Sequence, residues 1–220
     1  MINVDKITTI SLKEEKNRQK QAEIELAKLQ LKTDFFLAER DKENGERGCF
    51  NSHLQVCQQA LSENRQSILV FEDDIRIRLF HQKQIDAINQ FLQKKKDFDI
   101  LYLGLIISKM WFCGFKRIVR TKGAGAHAYI LSRQGIEKLS AYSFNGTPID
   151  KVFKRDFKCY SIYPIIAEQH PETVLKSAIS PFRSGEEEIK DKRFWKDNYR
   201  KQKKILWKNF YRSIAGFMTF

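Results

Sequence analysis

Ser67-Ile68-Leu69-Val70-Phe71-Glu72-Asp73-Asp74 is the stretch from which the rest of the sequence is read. Four apolar residues, two of them β-branched, make the pattern of a buried strand, and the run stops at three consecutive carboxylates. In open α/β sheets ligands gather outside the carboxyl ends of the strands, which is where this order puts Glu72, Asp73 and Asp74. Three like charges in a row repel one another unless something neutralises them. A hard divalent cation held by oxygens would do so and could bridge the phosphates of a nucleotide. For the tripeptide alone, a solvated acidic strand-to-loop turn is the more ordinary reading.

Outward from this strand, strand-like and helix-like segments alternate. Ile7 to Leu12 is a short β-branched run, and Lys13 to Leu31 is long, charged and helical in pattern. Gly48 to Asn64 reads as a helix, as does His81 to Lys95 with Ile85, Ile88 and Leu92 at helical spacing. Further strands are expected at Asp99 to Leu105, His127 to Leu131 and Cys159 to Ile166, with a helix around Gln134 to Tyr142. Such alternation predicts an α/β domain with a central, mostly parallel sheet flanked by helices.

The 220 residues suit one sizeable domain, and 42% hydrophobic content is enough to bury a core. No apolar run approaches the roughly 20 residues of a transmembrane helix. The amino terminus lacks a charged start followed by an apolar block, so no secretory signal is expected. The four cysteines, Cys49, Cys57, Cys113 and Cys159, show no CxxC spacing, which disfavours a zinc knuckle, a thioredoxin motif or a disulfide scaffold. Lys and Arg number 40 against 27 Asp and Glu, a net +13 that favours anionic partners. That charge is concentrated: between Lys190 and Arg212 ten cations face two anions, leaving only +5 for the rest. Ser-Gly and an acidic triplet between Ser184 and Glu188 mark a boundary, so residues 1–185 are expected to form the domain and 186–220 a basic tail.

Other motifs can carry chemistry, and each has an ordinary structural explanation beside it. Gly45 to His53 brings a glycine-containing loop into a helix whose start carries Ser52 and His53. Free N–H groups there favour anions, though a plain cap with a surface histidine fits as well. Gly123 to Tyr129 feeds small residues into a strand bearing His127 and Tyr129, which suits either close approach to a ligand or a tight turn. Thr147-Pro148-Ile149-Asp150 places a carboxylate in the first turn of a helix, as a dipole partner or as a general base. His170 follows the last strand and becomes a candidate metal ligand only if folding brings it to the acidic triplet.

Taken in order, the ISL strand, GERGCFNSH, ILVFEDD, LYLG, HAYILSRQG and PID resemble bacterial glycosyltransferase family 25 over about residues 5 to 180. That family includes lipooligosaccharide galactosyltransferases, and collagen galactosyltransferase domains are its relatives. The resemblance implies a GT-A fold with a Rossmann-like nucleotide-binding sheet, a UDP-sugar donor, a divalent metal (Mn2+ or Mg2+) at a DxD-type motif, and inversion at the anomeric carbon. Carried over by position, Glu72, Asp73 and Asp74 would hold the metal, with His170 as a further ligand, and Asp73 would also serve the donor. Ser11, Leu12 and Arg18 fall where the nucleotide is first contacted, and Gly48, Ser52 and His53 lie near the donor. His127 and Tyr129 fall on the acceptor side, and Asp150 is the candidate base. Ala126 stands where many members would carry a hydroxyl residue. The segment from Lys109 to Lys122 is expected to be a loop that closes over the donor and excludes water.

In the tail, Trp207, Phe210, Tyr211, Ile214, Phe217 and Met218 follow steps of three and four, with Lys201, Lys203, Lys204, Lys208 and Arg212 between them. A basic amphipathic helix of this kind suits an anionic membrane surface, which the combined charge and aromatic pattern favours over packing on the domain with its cations in water. Joined to the resemblance, it implies an enzyme peripheral to the cytoplasmic face of the inner membrane that extends a lipid-linked glycan. Two other classes remain open: a nucleic-acid binder using the tail, and a catalytically inactive family member acting as an assembly partner. The body carries no nucleic-acid recognition motif, and no nucleic-acid partner is expected.

Overall fold

The structure is a computed structural model that describes residues 1–78, 80–171 and 191–211. The boundary expected near Ser184 and the tail residues from Arg212 onward lie outside the described residues.

The elements run β1 (Lys6–Leu12), α1 (Lys16–Ala27), β2 (Asp34–Ala38), α2 (Gly45–Ser62), β3 (Ser67–Glu72), β4 (Ile75–Ile77), α3 (Gln82–Lys94), β5 (Ile100–Phe112), β6 (Ile118–Ser132), α4 (Arg133–Ser140), α5 (Ile149–Asp156), β7 (Cys159–Ile162), β8 (Ala167–Gln169) and α6 (Lys192–Lys208). Six strands form one sheet in the order β2-β1-β3-β6-β5-β7. Pairing is parallel between β1 and β2, β1 and β3, and β5 and β7, whereas β6 is antiparallel to β3, β5 and β7. Five strands therefore share one direction and β6 opposes them, which is the mostly parallel α/β sheet the sequence predicts.

Alternation along β3 divides the core. Ile68 and Val70 face a layer with Val56, Cys57 and Ala60 of α2, Ile136 and Leu139 of α4, and Val152 and Phe153 of α5. Leu69 and Phe71 face the other layer, with Ala22 and Leu26 of α1 and Ile85, Ile88 and Phe91 of α3. All four residues have no measurable exposure. A strand apolar on both faces is what a sheet covered by helices on both sides requires.

Two sequence expectations change here. The segment read as a closing loop, Lys109 to Lys122, is mostly strand: β5 and β6 form a long hairpin in which Lys109 pairs with Lys122 and Phe112 with Val119. Alternating Ile, Val, Trp and Phe residues favour extended backbone, and the turn is confined to the residues around Gly114, whose φ is +82°. The tail also begins by packing on the domain. Helix α6 buries Trp195, Asn198, Gln202 and Leu206 along one face, and Leu206 joins the α2–α4–α5 core layer. Asn198 accepts from Ile107 N–H at 3.0 Å and donates to the Leu105 carbonyl at 2.9 Å. Gln202 accepts from Ile165 N–H at 3.0 Å. The Asn198 bonds satisfy backbone groups of β5 where its register with β6 shifts, between Gly104 and Lys109, and the Gln202 bond satisfies the segment between β7 and β8. The division at residue 185 thus does not leave α6 as a separate body.

Candidate functional site

One cleft opens at the carboxyl end of β1 and β3. It is lined by Ser11 and Leu12 of β1, Arg18 of α1, Gly48, Cys49, Ser52 and His53 of α2, the Glu72-Asp73-Asp74 triplet, Gly125 and Ala126 of β6, Asp150 of α5, Gln169 at the end of β8 and His170 just after it. Topology explains the convergence. Parallel β1 and β3 end on the same side, and antiparallel β6 delivers its Gly123–Ala126 segment to that edge. The helices α2 and α5 both begin there.

The three carboxylates differ in their surroundings. Asp73 is 5% exposed and turned into the protein. It accepts from the Ser11 hydroxyl at 2.6 Å and from Arg18 Nε at 2.8 Å, and Arg18 Nη2 also bonds it. The same guanidinium lies 3.6 Å from Asp74. Burial works against the charge of Arg18, but the Asp74 and Asp73 carboxylates outweigh it and its pKa is raised. Glu72 and Asp74 face the cleft and are bridged by Gln169, whose amide donates to Glu72 at 3.3 Å and to Asp74 at 3.2 Å.

His53 links the triplet to the core. Its Nε2 lies 3.3 Å from Glu72 Oε1 and its Nδ1 lies 2.6 Å from the Tyr129 hydroxyl. Burial, with smaller contributions from neighbouring groups, holds that hydroxyl protonated far above the ordinary tyrosine range. Cys49, one turn earlier on α2, completes a group in which a ligand atom of Cys49, His53 and Glu72 all lie within 4.8 Å of one another.

Across the cleft, Asp150 Oδ2 accepts from the Gly125 N–H at 3.3 Å, at the start of α5. Gly125 adopts φ +96°, a conformation that favours glycine.

Ser11, Leu12, Arg18, Gly48, Ser52, His53, Glu72, Asp73, Asp74, Asp150 and His170, expected to be site residues, all line this cleft. Some are already engaged within the protein. The Ser52 hydroxyl donates to the Gly48 carbonyl at 2.8 Å, and a side chain at Gly48 would crowd Asp41 Cβ at 2.8 Å. His170 reaches the triplet through its backbone, whose N–H donates to the Asp74 carbonyl at 2.7 Å, while its ring Nε2 lies 3.6 Å from Glu25. Burial lowers the pKa of that ring, against the opposing pull of Glu25.

His127 and Tyr129 are corrected. Both have no measurable exposure, and neither lines the cleft, because β6 runs through the middle of the sheet. The His127 ring packs edge-on against Trp195 of α6, and Tyr129 supports His53. Gln169 and Cys49 were missed as site residues. Gln169 arrives through the β4–β8 pairing, Ile75 with Gln169, which three-residue strands do not announce in sequence. Cys49 sits one helical turn before His53, a spacing that was legible.

The carboxylate oxygens of Glu72 and Asp74, both lining the cleft, are the donor type that a hard divalent cation takes.

Residues 43–153 match the model of glycosyltransferase family 25, described as an LPS biosynthesis protein family. Procollagen galactosyltransferase 1-A of Xenopus laevis is 25% identical over 158 residues, covering 62% of this chain and 22% of that protein. A glycosyltransferase 25 family member of Aedes aegypti is 26% identical over 132 residues, covering 58% and 20%. A probable inactive glycosyltransferase 25 family member 3 of Bos taurus is 26% identical over 143 residues, covering 62% and 23%. The chain thus spans about a fifth of the length of these relatives.

Proposed function

The chain belongs to glycosyltransferase family 25, and we propose that it moves a hexose, galactose by analogy with its procollagen relatives, from a UDP-sugar to a hydroxyl of a lipooligosaccharide or related surface glycan, with inversion. The mostly parallel sheet with helices on both faces agrees with the GT-A-like fold of such an enzyme.

The observation that carries this reading is the meeting, in one cleft, of the strand-end triplet, the β1 strand end and a carboxylate at the start of α5. Glu72 and Asp74 are the residues that would hold a divalent cation, Mn2+ or Mg2+, whose charge offsets that of the departing diphosphate. Asp73 has a different duty from the one the sequence suggests: clamped by Arg18 and Ser11, it fixes the β3 end on which its two neighbours stand. Asp150, held by the Gly125 N–H, would take the proton of the attacking hydroxyl. His53 orients Glu72, and Gln169 spans Glu72 and Asp74, so both carboxylates are positioned before any ligand arrives.

The reading includes an anionic membrane surface as partner. Trp207 is 60% exposed, Phe210 44% and Tyr211 61%, grouped at the end of α6 with Lys203, Lys204 and Lys208 nearby in sequence. Aromatic rings beside lysines suit the headgroup region, and each cation near an anionic bilayer contributes about 1 kcal/mol. Among the described residues no helix is long and apolar enough to cross a membrane. The place of action proposed is the cytoplasmic face of the inner membrane.

The test is Asp150→Asn in a UDP-sugar transfer assay with Mn2+. Loss of a proton acceptor predicts a fall in kcat of about 10²-fold or more with UDP affinity unchanged. Near-normal turnover would remove Asp150 from the reaction.

A further inference from the structure

We propose that Cys49, His53 and Glu72 form a binding site for one borderline-soft transition cation of the zinc class, which shares Glu72 with the oxygen-only Glu72–Asp74 position but draws its other ligands from α2. Three kinds of ligand converge: a thiol, an imidazole and a carboxylate, with their ligand atoms within 4.8 Å of one another. Two ligands held about 2.0–2.1 Å from a tetrahedral zinc stand roughly 3.3 Å apart. The His53 Nε2 to Glu72 Oε1 separation is 3.3 Å, so these two groups are already at that spacing.

Cys49 and His53 are four residues apart on α2, which puts them on one helix face, and Glu72 ends the adjoining strand β3. All three line the cleft, so a cation can reach them from solvent.

Two outer bonds support the site independently of the ligand set. The Tyr129 hydroxyl holds His53 Nδ1 at 2.6 Å, and a phenol can accept from Nδ1–H once Nε2 gives its electron pair to a metal. Gln169 holds Glu72 by its second oxygen, Oε2, leaving Oε1 turned toward His53. Sulfur in the set selects against Mg2+ and Mn2+ and in favour of Zn2+ or Co2+. On the donor reading above, a cation here shares Glu72 with the diphosphate's cation and competes with it; the site itself does not depend on that reading.

The probe is Co2+ alone, titrated into the reduced, metal-stripped chain. The expected result is a thiolate-to-cobalt charge-transfer absorption that saturates at one equivalent and is displaced by Zn2+ but not by Mn2+. The absorption disappears in Cys49→Ser and persists in Cys113→Ser. Tyr129→Phe, which leaves all three ligands in place, weakens Co2+ binding about 10-fold or more. Glu72→Gln provides a second ligand variant should Cys49→Ser fail to fold, and it also weakens binding. No charge-transfer absorption in the wild type, or its survival in Cys49→Ser, overturns the proposal. Manganese-dependent UDP binding is a separate readout, so the two readings fail separately.

Discussion

Arg18 and Asp73 show how one residue's duty is set by what surrounds it. A carboxylate 5% exposed is costly unless paired, and here the guanidinium of Arg18 and the hydroxyl of Ser11 meet both of its oxygens. Removing one partner of a buried pair strands the other. Arg18→Met is therefore expected to cost about 3–5 kcal/mol in urea unfolding, and Ser11→Ala about 1–3 kcal/mol. An unchanged midpoint for Arg18→Met would show that Asp73 is not held as described. The cysteines divide by the same logic. Burial pushes the Cys159 thiol up to about 12 and Cys57 higher still, so neither forms thiolate at neutral pH. Alkylation of the native protein followed by mass spectrometry is expected to leave both unmodified until the chain unfolds, while the half-buried Cys49 reacts. From sequence, Glu72, Asp73 and Asp74 were visible as a ligand-binding end of a strand. Which of them turns inward was not, because that depends on Arg18, which lies 55 residues away in sequence.

At the scale of elements, the glycine of the LYLG stretch and helix α6 have related roles. A Cβ at Gly104 would overlap the Ala167 carbonyl oxygen and crowd His127 Nε2 at 2.7 Å. Gly104→Ala is thus expected to lower stability by about 1–3 kcal/mol, read from the thermal midpoint. Next along β5, where the register with β6 slips, Asn198 of α6 satisfies both the Ile107 N–H and the Leu105 carbonyl. Asn198→Leu leaves those groups unpaired and is expected to cost about 2 kcal/mol or more. Deleting residues 191–220 removes Trp195, Gln202 and Leu206 as well, and is expected to give an unstable protein rather than a tail-free enzyme. A deletion that melts with the full chain would show that α6 is dispensable to the fold. The long strands and helices were legible because apolar periodicity is local: β1, α2, β3, α3 and α4 lie where the pattern puts them. The pairs β2, and β4 with β8, were not, because three to five residues carry too little pattern and their pairing is long-range. The inner halves of the β5–β6 hairpin were legible as strands, but its outer part from Lys109 to Lys122 was not, because Lys109 and Lys122 break the apolar pattern even though they pair with each other.

For the whole molecule, the cleft and the exposed aromatic end of α6 are separate surfaces that different measurements address. Trp207→Ala with Phe210→Ala leaves the buried face of α6 intact and removes only two edge-on contacts with Phe112, so it is expected to abolish flotation with anionic liposomes while the protein stays folded with a slightly lower melting temperature. Flotation undiminished in that variant would remove the membrane from the account. The central claim concerns the cleft, and calorimetric binding of UDP with and without Mn2+, on wild type and Asp74→Ala, tests it most directly. The account predicts UDP binding that needs Mn2+ and is lost in the folded Asp74→Ala protein. A well-folded wild type that binds no UDP in the presence of Mn2+ would contradict it and move the chain to the side of its probable inactive relatives.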